Sequence, residues 1–231
     1  MIIEDFAVVI LHLPHREERV PLMDAAVATL GAEQYEIVEG FTPETNPYEV
    51  PYGQVRPIKW AIACSFRKAL QTALEQDKPY ILFLEDDAVI HPECDTILHD
   101  VFETIQDFDI IYGGWRIDTR GQEMMSTCSQ VASACDGTCV CNHCLLMPRS
   151  MAEQIVEQIG TVDYWRYEPL SNDFALSSYI NREGLKRYLI NPMLALLKNG
   201  IPSDNIDGGA KGVTRTPQEF VPYKNANTKG D

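Results

Sequence analysis

The chain has 231 residues, enough for one sizeable domain and a little short for two. Hydrophobic residues make up 45%, which excludes intrinsic disorder, collagen-like sequence and a small disulfide scaffold. Nineteen Lys and Arg against 34 Asp and Glu give a net charge of −15, a surface that repels nucleic acid and anionic lipid.

Residues 6–13, FAVVILHL, form a near-continuous apolar run and predict a buried parallel strand. The charged loop HREERV follows at 15–20. Pro21 then suits a first helical turn, and apolar helical spacing runs to Gly31 as the stop. YEIVEG at 35–40 reads as a second strand. The stretch 41–57 holds Pro43, Pro47, Pro51 and Pro57 and predicts an irregular loop of the kind that carries function. A helix is expected over 58–76, then a strand over 79–90, PYILFLEDDAVI. A helix at 93–106, a strand at 108–112 and a Gly-Gly turn at 113–114 follow. Residues 116–137 are polar and loop-like. A cysteine-rich strand at 139–147 leads to helices at 150–159 and 173–183, a strand at 186–190 and an apolar stretch at 192–197. A single domain is expected over 1–207, with a polar, Gly-rich tail from 208 to 231. The alternation of strands and helices predicts an α/β fold, a mostly parallel central sheet with helices on both faces. Such sheets bind ligands outside the carboxyl ends of their strands.

Glu85, Asp86 and Asp87 stand where a buried strand runs out into that crevice. Strand alternation would put Glu85 and Asp87 on one side and Asp86 on the other. Adjacent carboxylates repel one another, and a divalent cation that takes hard oxygen ligands, Mg²⁺ or Mn²⁺, would compensate them. A solvated acidic turn is the alternative. A response-regulator receiver domain is set aside because about 80 residues precede the acidic strand. A haloacid-dehalogenase-type phosphatase is set aside because Asp86–Asp87 lacks the D-x-D spacing.

Five of the seven cysteines, Cys128, Cys135, Cys139, Cys141 and Cys144, lie beside His143. They form either a zinc site or a buried strand in which cysteine acts as a small hydrophobe. On one continuous strand Cys139, Cys141 and His143 would share a face at ~6.6 Å spacing, wide for a tetrahedral site. The N-terminus carries Glu4 and Asp5 where an export signal has Lys or Arg. No apolar run approaches the ~20 residues that cross a bilayer. Reduced thiols and a cytoplasmic protein, at most peripheral to a membrane, are therefore expected.

Six segments in order resemble glycosyltransferase family 25, the lipooligosaccharide and collagen galactosyltransferase group. VVILHLPHREERV resembles the family's opening strand, and YEIVEG its second. AIACSFRKALQTALEQDKPYILFLEDDAVI resembles its Cys-x-Ser-His helix and Leu-Glu-Asp-Asp strand. FDIIYGG, NHCLLMPRSMAEQIV and DFALSSYINREGLKRYLINPMLALLKNGIPSDNI resemble the later strand and helix segments. The resemblance covers about residues 6–207. It implies a GT-A-like fold and an inverting, metal-dependent hexosyltransferase that uses a UDP-sugar, galactose or glucose, and a glycan, lipid-linked or protein acceptor. It further implies Asp87 and Glu85 at the metal and Asp173 as the base, with Asp163 in reserve. Around the donor it implies His12, Leu13, Arg16, Arg19, Glu39, Ser65, Asp86, Gly114, Ser203 and Asp204. Helix capping is the alternative for Asp173, pairing with Glu17 and Glu18 for Arg16 and Arg19, and turn formation for Ser203 and Asp204. His143 reads as a satisfied buried histidine rather than a base. His12 and Phe66 stand where the family has Asn and His. A protein of the same fold that binds donor without turnover, or a zinc-stabilised interaction protein, is the alternative function.

Overall fold

The apolar run at the start of the chain is strand β1 (Phe6–His12), preceded by a 3-10 turn at Ile3–Asp5 and followed by another at Glu17–Arg19. The structure is a computed structural model that describes residues 3–50, 55–117, 132–134, 139–165, 171–198 and 220. Helix α1 (Val20–Leu30) carries its proline in the first turn and closes on Gly31 at φ 64°, a left-handed position that costs glycine nothing. Strand β2 (Glu36–Glu39) follows. Helix α2 (Pro57–Leu74) starts at its proline, with Arg56 extended before it, because the proline ring excludes the preceding residue from helical geometry. Then come β3 (Tyr80–Glu85), β4 (Ala88–Ile90), α3 (Cys94–Thr104), β5 (Ile110–Tyr112), β6 (Arg116–Ile117), β7 (Ala132–Ala134), β8 (Cys139–Val140) and β9 (Cys144–Pro148). The chain continues through α4 (Arg149–Ile159), α5 (Val162–Trp165), α6 (Asn172–Glu183), β10 (Arg187–Ile190) and β11 (Ala195–Leu197).

Among the described residues the central sheet has seven strands in the order β2-β1-β3-β9-β5-β10-β7. Strands β2, β1, β3, β5 and β10 run one way, and β9 and β7 run against them. The sheet is thus mostly parallel, as the alternation predicts. Strand β9 lies between β3 and β5 and runs antiparallel to both.

Period-2 alternation sorts the core. Ala7, Val9, Ile81 and Phe83 pack on one face with Phe66 and Leu70 of α2, Met151 and Ile155 of α4, and Leu176 of α6. Phe6, Val8, Ile10, Leu82 and Leu84 pack on the other with Met23 and Leu30 of α1 and Ile97 and Val101 of α3. Helices therefore cover both faces. Each of these side chains larger than alanine contributes about 1.5–3 kcal/mol by leaving water.

Two expected strands are broken. The run 79–90 divides at Asp86–Asp87, and its second half pairs with β11 in a separate two-stranded sheet. The cysteine-rich run divides at 141–143, where Cys141 takes φ 80°. Short strands β6 and β7 lie within the expected loop 116–137. The expected tail, 208–231, lies outside the described residues apart from Phe220, whose ring meets that of His91 edge-on at 4.7 Å.

Candidate functional site

The carboxyl ends of β1, β2 and β3, the first turns of α2, the segment 141–143 and the start of α6 enclose a cleft of about 330 Å³. Its lining combines apolar side chains, Leu11, Leu13, Phe41, Pro43, Ile58 and Ile62, with the acids Glu85, Asp86, Asp87 and Asp173 and with Arg19, Asn142 and His143. The sheet places acids from residues 85–87 and 173 in one cavity because β3 and the entry to α6 both end at this edge.

The three consecutive acids differ in environment. Asp86 is 3% exposed. Its Oδ1 accepts from Arg19 Nη1, its Oδ2 lies 2.8 Å from His12 Nδ1, and the Leu13 N–H reaches Oδ2 at 3.4 Å. Asp87 Oδ2 lies 3.9 Å from Arg19 Nη2, and its backbone carbonyl accepts from the Lys198 N–H at 2.9 Å. Glu85 is half-buried, and its N–H donates to the His143 carbonyl at 3.0 Å. Because the strand ends at Glu85, the expected alternation stops there, and all three acids line the cleft.

Asp173 lies in the first turn of α6, but Ser171 caps that helix: its Oγ accepts from the Phe174 N–H at 3.5 Å. The Asp173 Oδ2 instead accepts from the Cys141 N–H at 3.1 Å. Lys59 is buried nearby. Burial pulls its ammonium below the ordinary lysine range, the charge of Arg56 adds to this, and Asp173 opposes it. Helix α6 is set by a buried network in which Ser177 Oγ accepts from the Cys139 N–H at 3.1 Å and from Arg187 Nη1 at 2.8 Å.

Ser65 lines the cleft and fastens it. Its Oγ accepts from the Phe41 N–H and donates to the Ala61 carbonyl, each at 2.7 Å, which ties the loop after β2 to α2. Lys68 lies over the Phe41 ring at 5.0 Å and donates to the Glu39 carbonyl at 2.8 Å.

The structure thus brings Leu13, Arg19, Ser65, Glu85, Asp86, Asp87 and Asp173 together at one cleft. It places four expected residues elsewhere. His12 is not part of the cleft lining and holds Asp86. Arg16 pairs with Glu18 at 3.4 Å, the surface alternative. Glu39 points its side chain to solvent at the end of β2. Gly114 stands behind His143, where a Cβ would come within 2.0 Å of His143 Nε2. Asp163 is exposed on α5 and outside the cleft. Ser203 and Asp204 lie outside the described residues, as do Cys128 and Cys135. His143 is buried, with Nε2 3.2 Å from the Ala195 carbonyl, and it also lines the cleft.

The cysteines do not converge on a zinc site among the described residues. Cys139 packs on one face of the sheet, Cys144 on the other, and Cys141 lines the cleft. The break at Cys141 turns the expected ligands apart. Residues the sequence reading passes over are Asn142 and His15, and it weighs Cys141 only as part of the cysteine cluster. Nothing in local periodicity marks Asn142, which follows the left-handed residue Cys141 after β8.

No helix among the described residues is long and apolar enough to cross a membrane. No protein-family model matches the chain, and no curated protein does. Two solved structures are similar in chain path. One is a glycosyltransferase involved in the glycosylation of the major capsid of PBCV-1, at 10% identity and a TM-score of 0.43 over 80% of this chain and 82% of that one. The other is A197 from STIV, at 12% identity and a TM-score of 0.42 over 85% of this chain and 95% of that one.

Proposed function

We propose that the chain is an inverting glycosyltransferase of GT-A-like fold that moves a hexose, galactose or glucose, from a UDP-sugar to a hydroxyl of a glycan, lipid-linked or protein acceptor. The observation that carries this reading is the cleft at the carboxyl ends of β1–β3, which apolar side chains and Glu85, Asp87, Arg19 and Asp173 line together. Apolar surface beside charged groups fits a ligand that joins a flat base to a diphosphate. The ordered resemblance over residues 6–207 supports the same reading.

The donor set also fits a divalent cation. Asp86 is engaged by Arg19 and His12, and Glu85 and Asp87, which line the cleft on either side of it in sequence, would hold Mn²⁺ or Mg²⁺. Among the described residues no three His, Cys, Asp or Glu side chains group for metal binding. One or two carboxylates suit a cation whose other ligands are phosphate and water. When bound, it would neutralise charge on the leaving diphosphate. Arg19, buried beside Asp87, adds positive charge to the same end of the cleft. At the other end Asp173, held by the Cys141 N–H, takes the proton of the acceptor hydroxyl. The acceptor oxygen bonds to the anomeric carbon as the bond from that carbon to the diphosphate oxygen breaks, and the electron pair leaves with UDP. Attack and departure on opposite sides invert the centre.

The test is the thermal midpoint with UDP, UDP-galactose, UDP-glucose and other nucleoside diphosphates, with and without Mn²⁺. A native-state ligand at about 100 times its Kd stabilises by ~2.7 kcal/mol. The expected result is a Mn²⁺-dependent rise with UDP that Asp87→Ala abolishes. Asp173→Asn keeps the rise and loses about 10²–10⁴ in kcat. Binding without acceptor-dependent UDP release by the wild-type protein identifies the donor-binding alternative. No rise with any nucleotide ends the reading.

A further inference from the structure

Asn142 lines the cleft and is 3% exposed, yet neither Oδ1 nor Nδ2 of its carboxamide has a hydrogen-bond partner among the described residues. Buried amides are nearly always paired. Satisfying both atoms calls for a group that donates and accepts within the cleft.

The flanking backbone fixes where Asn142 stands. On one side the Cys141 N–H donates to Asp173 Oδ2 at 3.1 Å, and Cys141 itself adopts φ 80°. On the other, the His143 carbonyl accepts from the Glu85 N–H at 3.0 Å. Position 142 is thus bracketed by a contact to Asp173 and a contact to Glu85. Left-handed backbone at a residue other than glycine is costly, and such strain gathers at ligand sites.

We infer that Asn142 is a specificity-determining residue whose carboxamide binds a hydroxyl of the transferred hexose. This rests on the transferase reading, in which the sugar lies between the diphosphate end at Glu85 and the proton acceptor Asp173. A hydroxyl donates and accepts, as a carboxamide does. The terminal torsion of asparagine is soft, so a small turn carries the buried amide to a ligand in the cleft. A carboxylate at this position would only accept, and would add charge to Glu85, Asp86 and Asp87.

The experiment is calorimetric titration of the wild-type chain and Asn142→Ala with UDP, UDP-galactose and UDP-glucose in Mn²⁺, with the ligand-free thermal midpoint of each. One lost hydrogen bond predicts about tenfold or weaker binding of the preferred UDP-hexose to Asn142→Ala, with UDP affinity held within about twofold. The ligand-free midpoint stays level or rises, because the substitution deletes a buried polar group that has no partner among the described residues. Asn142→Ser, which keeps a donor and acceptor, recovers part of the loss. Equal loss for UDP and UDP-hexose, no loss for either, or a lower ligand-free midpoint overturns the inference and leaves the transferase reading standing. Failure of every nucleotide to bind the wild-type chain overturns both.

Discussion

Glu85, Asp86 and Asp87 are neighbours in sequence with separate tasks in the fold. Asp86 is buried between Arg19 and His12, so it fastens the turn after β1 to the end of β3. Removing one partner of a buried pair leaves the other charge in a poor solvent. Asp86→Asn should therefore cost about 3–5 kcal/mol in urea unfolding, whereas an exposed pair such as Arg149–Glu153 contributes about 0–1 kcal/mol. A loss below 1 kcal/mol for Asp86→Asn would contradict the clamp. Asp173 is the other residue whose contacts the fold decides. With Ser171 taking the cap, its carboxylate is turned to Cys141 and the cleft, which separates the two roles a first-turn aspartate can have.

At the scale of elements, the site depends on where strands stop. Strand β3 ends at Glu85, and the chain between β8 and β9 breaks at Cys141. Gly114 makes the second break possible: His143 and the backbone of β11 occupy the space a side chain would need. A Cβ there would lie 2.0 Å from His143 Nε2 and 2.5 Å from the Ala195 carbonyl. Gly114→Ala should cost about 1–3 kcal/mol through overpacking. It should also shift the His143 ring signals in an NMR spectrum, since His143 must move. An unshifted ring would show that the strain is absorbed by β11 instead.

The whole molecule carries its titration in its burial. Burial pushes the Cys64 and Cys94 thiols up to about 11, the Cys144 thiol higher still, and the Tyr112 and Tyr164 phenols well above 10. In each case the folded chain binds its proton more tightly than the unfolded chain does. That stability is complete below the unfolded thiol value and is lost as pH rises through 9 to 11, by roughly 2–3 kcal/mol for each of Cys64 and Cys94. The urea midpoint should hold level from pH 7 to 8.5 and fall between 9 and 11. Cys64→Ala should flatten part of that fall, and an unchanged slope would remove this account.

Local sequence determined what local physics governs. The alternation in FAVVILH and YILFLE sends Val9 and Phe83 to one core and Val8 and Leu84 to the other. Pro21, Pro57, Gly31 and Gly184 mark helix ends because their backbone preferences act within a turn. The carboxylates at the end of β3 are legible for the same reason. Tertiary structure alone decided the direction of β9, the division of the cysteines between two faces, and which acid meets which cation. Arg19 and Asp86 are 67 residues apart, and His12 and Asp86 are 74 apart; no periodicity spans such distances. Arg16 and Arg19 look alike in the sequence, and only the packing of α1 against the sheet sends one to Asp86 and the other to Glu18. Asn142 is the clearest case, a polar residue in an apolar run whose place in the cleft follows from the left-handed turn before it.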